Sequence, residues 1–308
     1  MMTEIFQRNR EQTMLQAHCK PIFKAMDYIS QNLHLNPTLK DVADSVALSS
    51  FHFHRLFRTQ VGETVAAFTR RLRMERAAAW LLAFPQEDIT GLALRIGFSS
   101  SQNFAKAFRA HFAESPGEFR RRHILATNSK PGNVAAVKSP YSHFADPGIG
   151  LLAAQITQLP ARRVAYMRRL GPYGKETCQQ THGDLLASLP ARTPSQPAGT
   201  LCVYWDAPEI TSASRCRTDV AVEIGSTEKT GRGIAVQTLL GGTYGVCKFA
   251  VFEEQLEQAW DWAFSWIAAR GFIKSDKPCY EYYYNETDVS LNYYVFDICI
   301  PLQTTPEE

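Results

Sequence analysis

Two folds of different class are expected in this chain: an all-α N-terminal domain followed by an α+β C-terminal domain. Three observations lead there. At 308 residues the chain exceeds one average domain and can bury two separate cores. Apolar residues recur at helical spacing through the first part, whereas later short β-branched and aromatic runs stand between turn signals, among them VAYMRR, TLCVYW, DVAVEI, TYGVCKF and CYEYYY. Between the two parts, HILATNSKPGNVAAVKSPYSHFADPGIG loses periodicity and collects Pro, Gly, Ser and Asn. The expected boundaries are 1–125 for the helical domain, 126–147 for a linker and 148–308 for the second domain.

The helical part repeats itself. LKDVADSVALSSFHFHRLFR (39–58) aligns with ITGLALRIGFSSSQNFAKAFR (89–109), with Val42 and Ala43 matching Leu92 and Ala93 at an offset of 50. After one extra residue in the turn, Phe53, Arg55, Phe57 and Arg58 match Phe104, Lys106, Phe108 and Arg109 at an offset of 51. Each copy reads as a short helix, a turn and a second helix with one cationic face, the pattern of a helix-turn-helix.

In SSFHFHRLFR (49–58), Phe53, Leu56 and Phe57 share one helical face and suit a core. Phe51, His54, Arg55 and Arg58 share the other, an aromatic and cationic stripe, and Ser49 or Ser50 is the expected N-cap. Between the copies, TVAAFTRRLRMERAAAWLLAF (64–84) has no Gly or Pro. It should form a helix of about 20 residues, roughly 30 Å long. Successive major-groove faces on one side of B-DNA lie about 34 Å apart, so two reading heads joined by such a helix would address adjacent grooves.

Charge divides the same way: residues 1–125 carry a net +6 and residues 126–308 a net −3, so the helical half is the one suited to a polyanion. MMTEIFQRNREQ has no apolar signal-peptide core and no run of 18 apolar residues occurs, so a cytoplasmic, nucleoid-associated protein without a membrane partner is expected. The seven cysteines form no C-x-x-C pair, which argues against a zinc site or a disulfide framework and for reduced, mostly buried thiols. His52 and His54 lie on different helical faces and do not suggest a shared metal. No cofactor is expected, and neither a phosphate loop nor a G-x-S-x-G elbow is present, since Arg169 stands where LGPYGKE would need its first glycine.

The stretches LKDVADSVALSSFHFHRLFRTQVGETVAAFTRRLRMERAAAWLL and ITGLALRIGFSSSQNFAKAFRAHFAESPGEFRRR closely resemble the AraC/XylS family of bacterial transcription regulators over residues 20–122. The resemblance implies a seven-helix DNA-binding domain with two recognition helices, a promoter-DNA partner, RNA polymerase as a second partner, and activation of transcription. It places Phe51, His54 and Arg55 at groove-facing positions of the first helix and Ser101, Gln102, Asn103 and Lys106 at those of the second. Phe51 and His54 depart from the Trp and Gln that some relatives carry there, so the target sequence is not transferable. By chemistry, Arg55 suits guanine, Gln102 adenine and Phe51 a thymine methyl. Arg58, Arg109 and the Arg120–Arg122 run suit phosphates.

In the second half, LGPYGKE (170–176), VYWDAP (203–208), GGTYGVCKF (241–249), KPCYEYYYN (277–285) and FDICIPL (296–302) resemble, in order, the gyrase-inhibitor-like effector-binding domain found fused to AraC-type readers in the Rob-like arrangement. The resemblance implies a duplicated strand-helix-strand-strand unit, an antiparallel sheet and a cleft between the halves; DVAVEI echoes DICIPL, and RVAYMRR faintly echoes TYGVCKF. It marks Glu281 as the acidic position that multidrug-sensing relatives set against organic cations, with Tyr283, Tyr244, Trp205 and Trp260 as further pocket candidates. A carboxylate beside aromatic faces suits a hydrophobic cation. The plainer reading of Glu281 is a strand carboxylate paired to an arginine, and Trp260 with Leu256, Ala259 and Ala263 also reads as an ordinary core stripe. The expected function is therefore a sequence-specific DNA-binding regulator, not an enzyme, that senses a small hydrophobic or cationic ligand. A hydrolase or a protein-interaction module fused to the DNA reader is the alternative.

Overall fold

The computed structural model describes residues 19–129, 148–189, 199–225, 230–231, 233–284 and 292–303. The chain divides into two compact units, Met1–Ala135 and Ala136–Glu308. The expected linker lies outside the described residues from position 130 onward; before that, helical backbone continues to Ser129.

The first unit contains seven α-helices among its described residues: α1 (19–31), α2 (Leu39–Ser45), α3 (Ser50–Val61), α4 (Val65–Ala83), α5 (Ile89–Arg95), α6 (Ser101–Phe112) and α7 (Pro116–Ser129). Their starts are written in capping residues. Thr38 and Asp88 cap α2 and α5, accepting from Asp41 N and Gly91 N, while Ser49, Thr64 and Ser100 cap α3, α4 and α6. α3 and α6 both end on a left-handed residue, Gly62 and Ala113.

The core of each helix pair follows from the repeat. Val42, Ala43, Phe53 and Phe57 are fully buried in the first copy, as are Leu92, Ala93, Phe104 and Phe108 in the second, and Leu56 is half-buried. The ring pairs share a spacing: Phe53–Phe57 and Phe104–Phe108 both have centroids 5.5 Å apart. The connecting helix is more than a spacer. α4, about 28 Å long at 1.5 Å per residue, buries Val65, Phe68, Leu72, Met74, Ala77, Ala78 and Leu81 together with Arg71, Arg73 and Glu75. Arg73 ties it to the second copy and to the turn before the first, donating from Nε to Ile96 O at 3.0 Å and from Nη1 to Asn36 Oδ1 at 2.9 Å.

The second unit is an eight-stranded antiparallel sheet with two helices. Its strands are β1 (Leu151–Leu159), β2 (Arg162–Leu170), β3 (Thr200–Tyr204), β4 (Arg217–Glu223), β5 (Ala235–Leu239), β6 (Gly242–Phe252), β7 (Cys279–Tyr283) and β8 (Tyr293–Pro301), in the order β1-β6-β8-β7-β3-β4-β2-β5. The helices are α8 (Lys175–Ser188) and α9 (Leu256–Ala268). The expected duplication is present as β2-α8-β3-β4 and β6-α9-β7-β8. The strand before each unit pairs with the other one: β1 lies on β6 and β5 on β2.

The two halves of this sheet join at β3 and β7, where Cys202 stands opposite Glu281. Strand residues alternate between faces, which assigns Ala165, Met167, Cys202, Val220 and Val222 to the face covered by α8. Cys247, Phe249, Cys279, Phe296 and Ile298 lie on the same face under α9. Glu281 is thus on the helical face, at the seam between the two halves.

Candidate DNA interface and effector cavity

On α3 the residues of the mixed stripe point outward together. Phe51 is 82% exposed, Arg55 and Arg58 are exposed, and with His54 and Thr59 they line one open depression. An exposed Phe amid cations has no packing role within its own unit. On α6 the equivalent surface consists of Gln102, Asn103, Lys106 and Arg109, all exposed, with Ser101 half-buried at the start of the helix. The Asn103 amide donates to Ser99 Oγ at 3.2 Å, which holds it near the helix N-terminus. Each face offers amide, guanidinium or ammonium donors of the kind that read base edges, with an arginine one turn further on.

The arginines do not all stand alike. Arg109 pairs across solvent with Glu118 at 3.3 Å, a contact weak enough to be exchanged for a phosphate. Arg120 is half-buried and donates from Nη2 to Glu87 O at 2.7 Å, and Arg122 pairs with Glu114 at 2.6 Å while its guanidinium lies over Phe119. Of the Arg120–Arg122 run, two members have protein partners, so the run is not a set of three phosphate contacts waiting to be made.

In the second unit Glu281 is 3% exposed and accepts three hydrogen bonds: from Tyr204 Oη at 2.5 Å, Trp260 Nε1 at 2.7 Å and Tyr283 Oη at 2.9 Å. Burial raises its pKa, and the three donors pull it back down. Among these described partners there is no cation. The donors come from three elements: Tyr204 ends β3, Trp260 projects from α9, and Tyr283 sits two residues along β7 on the same face. The Tyr204 and Trp260 rings meet edge to face at 5.8 Å, and Tyr173, from the β2–α8 turn, packs on Tyr204 at 4.9 Å. At the N-terminal end of α8, Lys175 Nζ donates to Glu253 Oε2 at 2.6 Å and Asn292 Oδ1 at 2.7 Å, tying the first half to the second.

Three of the five residues singled out in the sequence, Glu281, Trp260 and Tyr283, are therefore brought together. Tyr244 and Trp205 are not: contrary to the expectation from the sequence, neither stands with Glu281. Tyr244 packs on Tyr280, the neighbour of Glu281 that faces the other way, and donates to Leu240 O at 2.8 Å. Trp205 donates from Nε1 to Asp219 at 2.7 Å, in a buried cluster where Arg168 forks onto the same carboxylate at 2.6 and 2.8 Å. Both lie on the sheet face away from the helices. Tyr204 was missed; the signal was its place in VYWDAP, two residues along the strand from Cys202, hence on one face with it.

Comparison with known proteins gives the same two parts. A helix-turn-helix domain model matches residues 42–122, and a GyrI-like small molecule binding domain model matches residues 153–303. The uncharacterized HTH-type transcriptional regulator YbfP of Bacillus subtilis is 34% identical over 101 residues, 33% of this chain and 34% of YbfP. The transposon Tn10 TetD protein of Escherichia coli is 31% identical over 109 residues, 35% of this chain and 78% of TetD. The lactose operon transcription activator of Staphylococcus xylosus is 30% identical over 106 residues, 34% of this chain and 37% of that protein. The chain thus spans about a third of the length of YbfP and of the lactose operon activator. With 78% of TetD covered at 31% identity and the domain model matched, the chain belongs to the helix-turn-helix proteins. Its remaining half is a GyrI-like domain. No helix among the described residues is long and apolar enough to cross a membrane.

Proposed function

We propose that the protein activates transcription by placing α3 and α6 in successive major grooves of promoter DNA and acting with RNA polymerase, and that a hydrophobic cation bound beside Glu281 regulates it. The observation that carries the effector half is the buried Glu281 carboxylate, held by three neutral aromatic donors and by no described cation. Neutral donors orient a carboxylate without cancelling its charge, so an aromatic-walled site keeps a negative potential that a lipophilic cation can satisfy through charge and ring faces together. Full hydrogen bonding also makes Glu281 a poor general base, which favours binding over hydrolysis. Activation is the direction carried by the name of the Staphylococcus xylosus relative.

In the DNA half, Phe51, His54 and Arg55 of α3 and Ser101, Gln102, Asn103 and Lys106 of α6 read bases, while Arg58 and Arg109 hold phosphates. Footprinting on the DNA flanking the protein's own gene, followed by transcription in vitro with RNA polymerase, tests this reading. It predicts a single asymmetric site with two boxes about one helical turn apart and more transcript with protein than without. A footprint that covers one box only, or transcript that falls on addition of protein, contradicts it.

A further inference from the structure

Two thiols sit beside the Glu281 cluster and have no part in the reading above. Cys202 is buried on β3, directly opposite Glu281 in the sheet register. Cys178 is half-buried on α8, one turn from Lys175, and packs against the cluster that contains Cys202. Both thiols belong to one packed cluster on the α8 face of the sheet, and Cys178 Sγ lies 3.8 Å from the hydroxyl of Tyr204, two residues along β3 from Cys202. The remaining cysteines of the second unit, Cys216, Cys247, Cys279 and Cys299, are all buried. Cys178 is thus the half-exposed thiol of this cluster, and Cys202 is the buried one.

We propose that Cys178 and Cys202 form a dithiol site for a thiophilic ligand that bonds to both sulfurs and carries an aromatic group, an aryl derivative of a trivalent metalloid. Charge narrows the class to ligands that leave a neutral bis-thiolate, and the aromatic rings packed on this cluster favour one that carries an aryl group. A monovalent soft ion held by two thiolates would leave a net negative charge beside the Glu281 carboxylate, and two like charges buried together are costly. A trivalent aryl metalloid gives a neutral adduct, and its ring has Tyr204 and Tyr283 to lie against.

The chemistry balances without an oxidant. The half-exposed Cys178 thiol adds across the As=O bond of an aryl arsenoxide, its sulfur bonding to arsenic and its proton moving to oxygen. The Cys202 thiol then displaces that hydroxide, its proton leaving with it as water, so that two As–S bonds are formed and neither sulfur is oxidised. The order matters because contact with Cys178 and burial both raise the Cys202 pKa. Cys202 therefore reacts as the second, delivered partner rather than as the initiating nucleophile.

The test uses the full chain and phenylarsine oxide. After incubation with the probe, free thiols are alkylated with iodoacetamide under denaturing conditions at acid-to-neutral pH, and each cysteine peptide is scored by mass spectrometry. The site predicts that the Cys178 and Cys202 peptides are protected together, that Cys178→Ser removes protection of Cys202, and that Cys202→Ser removes protection of Cys178. Cys202→Ala serves where the serine variant fails to fold. Arsenite, which has the same bonding but no ring, should need a concentration at least about tenfold higher. Protection of another pair, or protection of Cys202 that persists in Cys178→Ser, overturns the site. Equal potency of arsenite overturns its aromatic part. These readouts follow sulfur alone and do not depend on whether a hydrophobic cation binds Glu281.

Discussion

The two helix-turn-helix copies are built to one plan and differ where each meets its surroundings. Beyond the segments first aligned, the offset of 51 continues into the helix after each reading helix. Glu63 pairs with Arg71 at 2.7 Å, and Glu114 pairs with Arg122 at 2.6 Å. Phe57–Phe68 and Phe108–Phe119 are edge-to-face pairs at 5.5 and 5.4 Å. Arg71 lies over Phe68 as Arg122 lies over Phe119. Yet the first ion pair is 8% exposed on both sides and adds Glu75, whereas the second is 60% and 21% exposed. The difference comes from α4, which is enclosed as the spine of the unit. The same residues are a structural core in one copy and a surface contact in the other.

Removing the two arginines should separate the copies most sharply. Arg71→Ala takes the buried guanidinium away from two buried carboxylates, Glu63 and Glu75, and should cost about 3–5 kcal/mol of stability. Arg122→Ala should cost about 0–1 kcal/mol. Urea unfolding of both variants measures this; equal losses would mean that the first pair is not enclosed.

The reading faces differ next. At matching positions the first copy carries Phe51, His52, His54 and Arg55, and the second Gln102, Asn103, Ala105 and Lys106. Arg55→Ala should lose roughly 1–3 kcal/mol at one box and relax specificity there. Arg109→Ala should weaken all sequences alike and lower the salt slope by about one unit. Titrations of specific and random duplexes at several salt concentrations distinguish them; equal loss on both duplexes for Arg55→Ala removes its base-reading role.

The smallest effect lies in the turns. Ala47 of the first copy and Gly97 of the second occupy equivalent left-handed positions, at φ 56° and 83°. An L-residue there is disfavoured by roughly 1–2 kcal/mol, so Ala47→Gly should be neutral to stabilising by up to about 1 kcal/mol. Gly97→Ala should destabilise, because its Cβ would stand 2.7 Å from the His34 carbonyl oxygen. Thermal melting of the pair gives the signs, and a melting temperature lowered by Ala47→Gly would show that the first turn carries no strain.

Much of the helical unit was legible because its signals are local: caps, a 3.6-residue period and a repeat visible by offset. The Glu63–Arg71 and Glu114–Arg122 pairs were legible too, in GETVAAFTRRL and AESPGEFRRRH, but only by extending the alignment past a Thr-to-Ser-Pro change. That one pair is buried was not legible, since enclosure of α4 is a tertiary fact. In the sheet, the strands and the duplication could be read, and so could the place of Glu281 among aromatic residues. Which aromatic residues join it could not, because alternation within a strand says nothing about register between strands. Tyr244 and Trp205 fall on the far face through pairings set by distant segments, while Tyr204 arrives through β3–β7 pairing.

The central claim, that Glu281 is the charge anchor of the proposed effector site, is tested most directly by calorimetry of a lipophilic cationic dye against the wild type and Glu281→Gln across pH. Because burial raises the Glu281 pKa, the folded protein holds that proton more tightly than the unfolded chain, whose value is about 4.3. The stability contribution is therefore present at low pH and lost as pH rises through the folded value. Dye affinity runs the opposite way, rising as the carboxylate ionises and then levelling. The account predicts that Glu281→Gln loses about 2–5 kcal/mol of dye binding at neutral pH, flattens the pH dependence and leaves DNA affinity unchanged. Equal dye affinity and an unchanged pH profile in Glu281→Gln would contradict it.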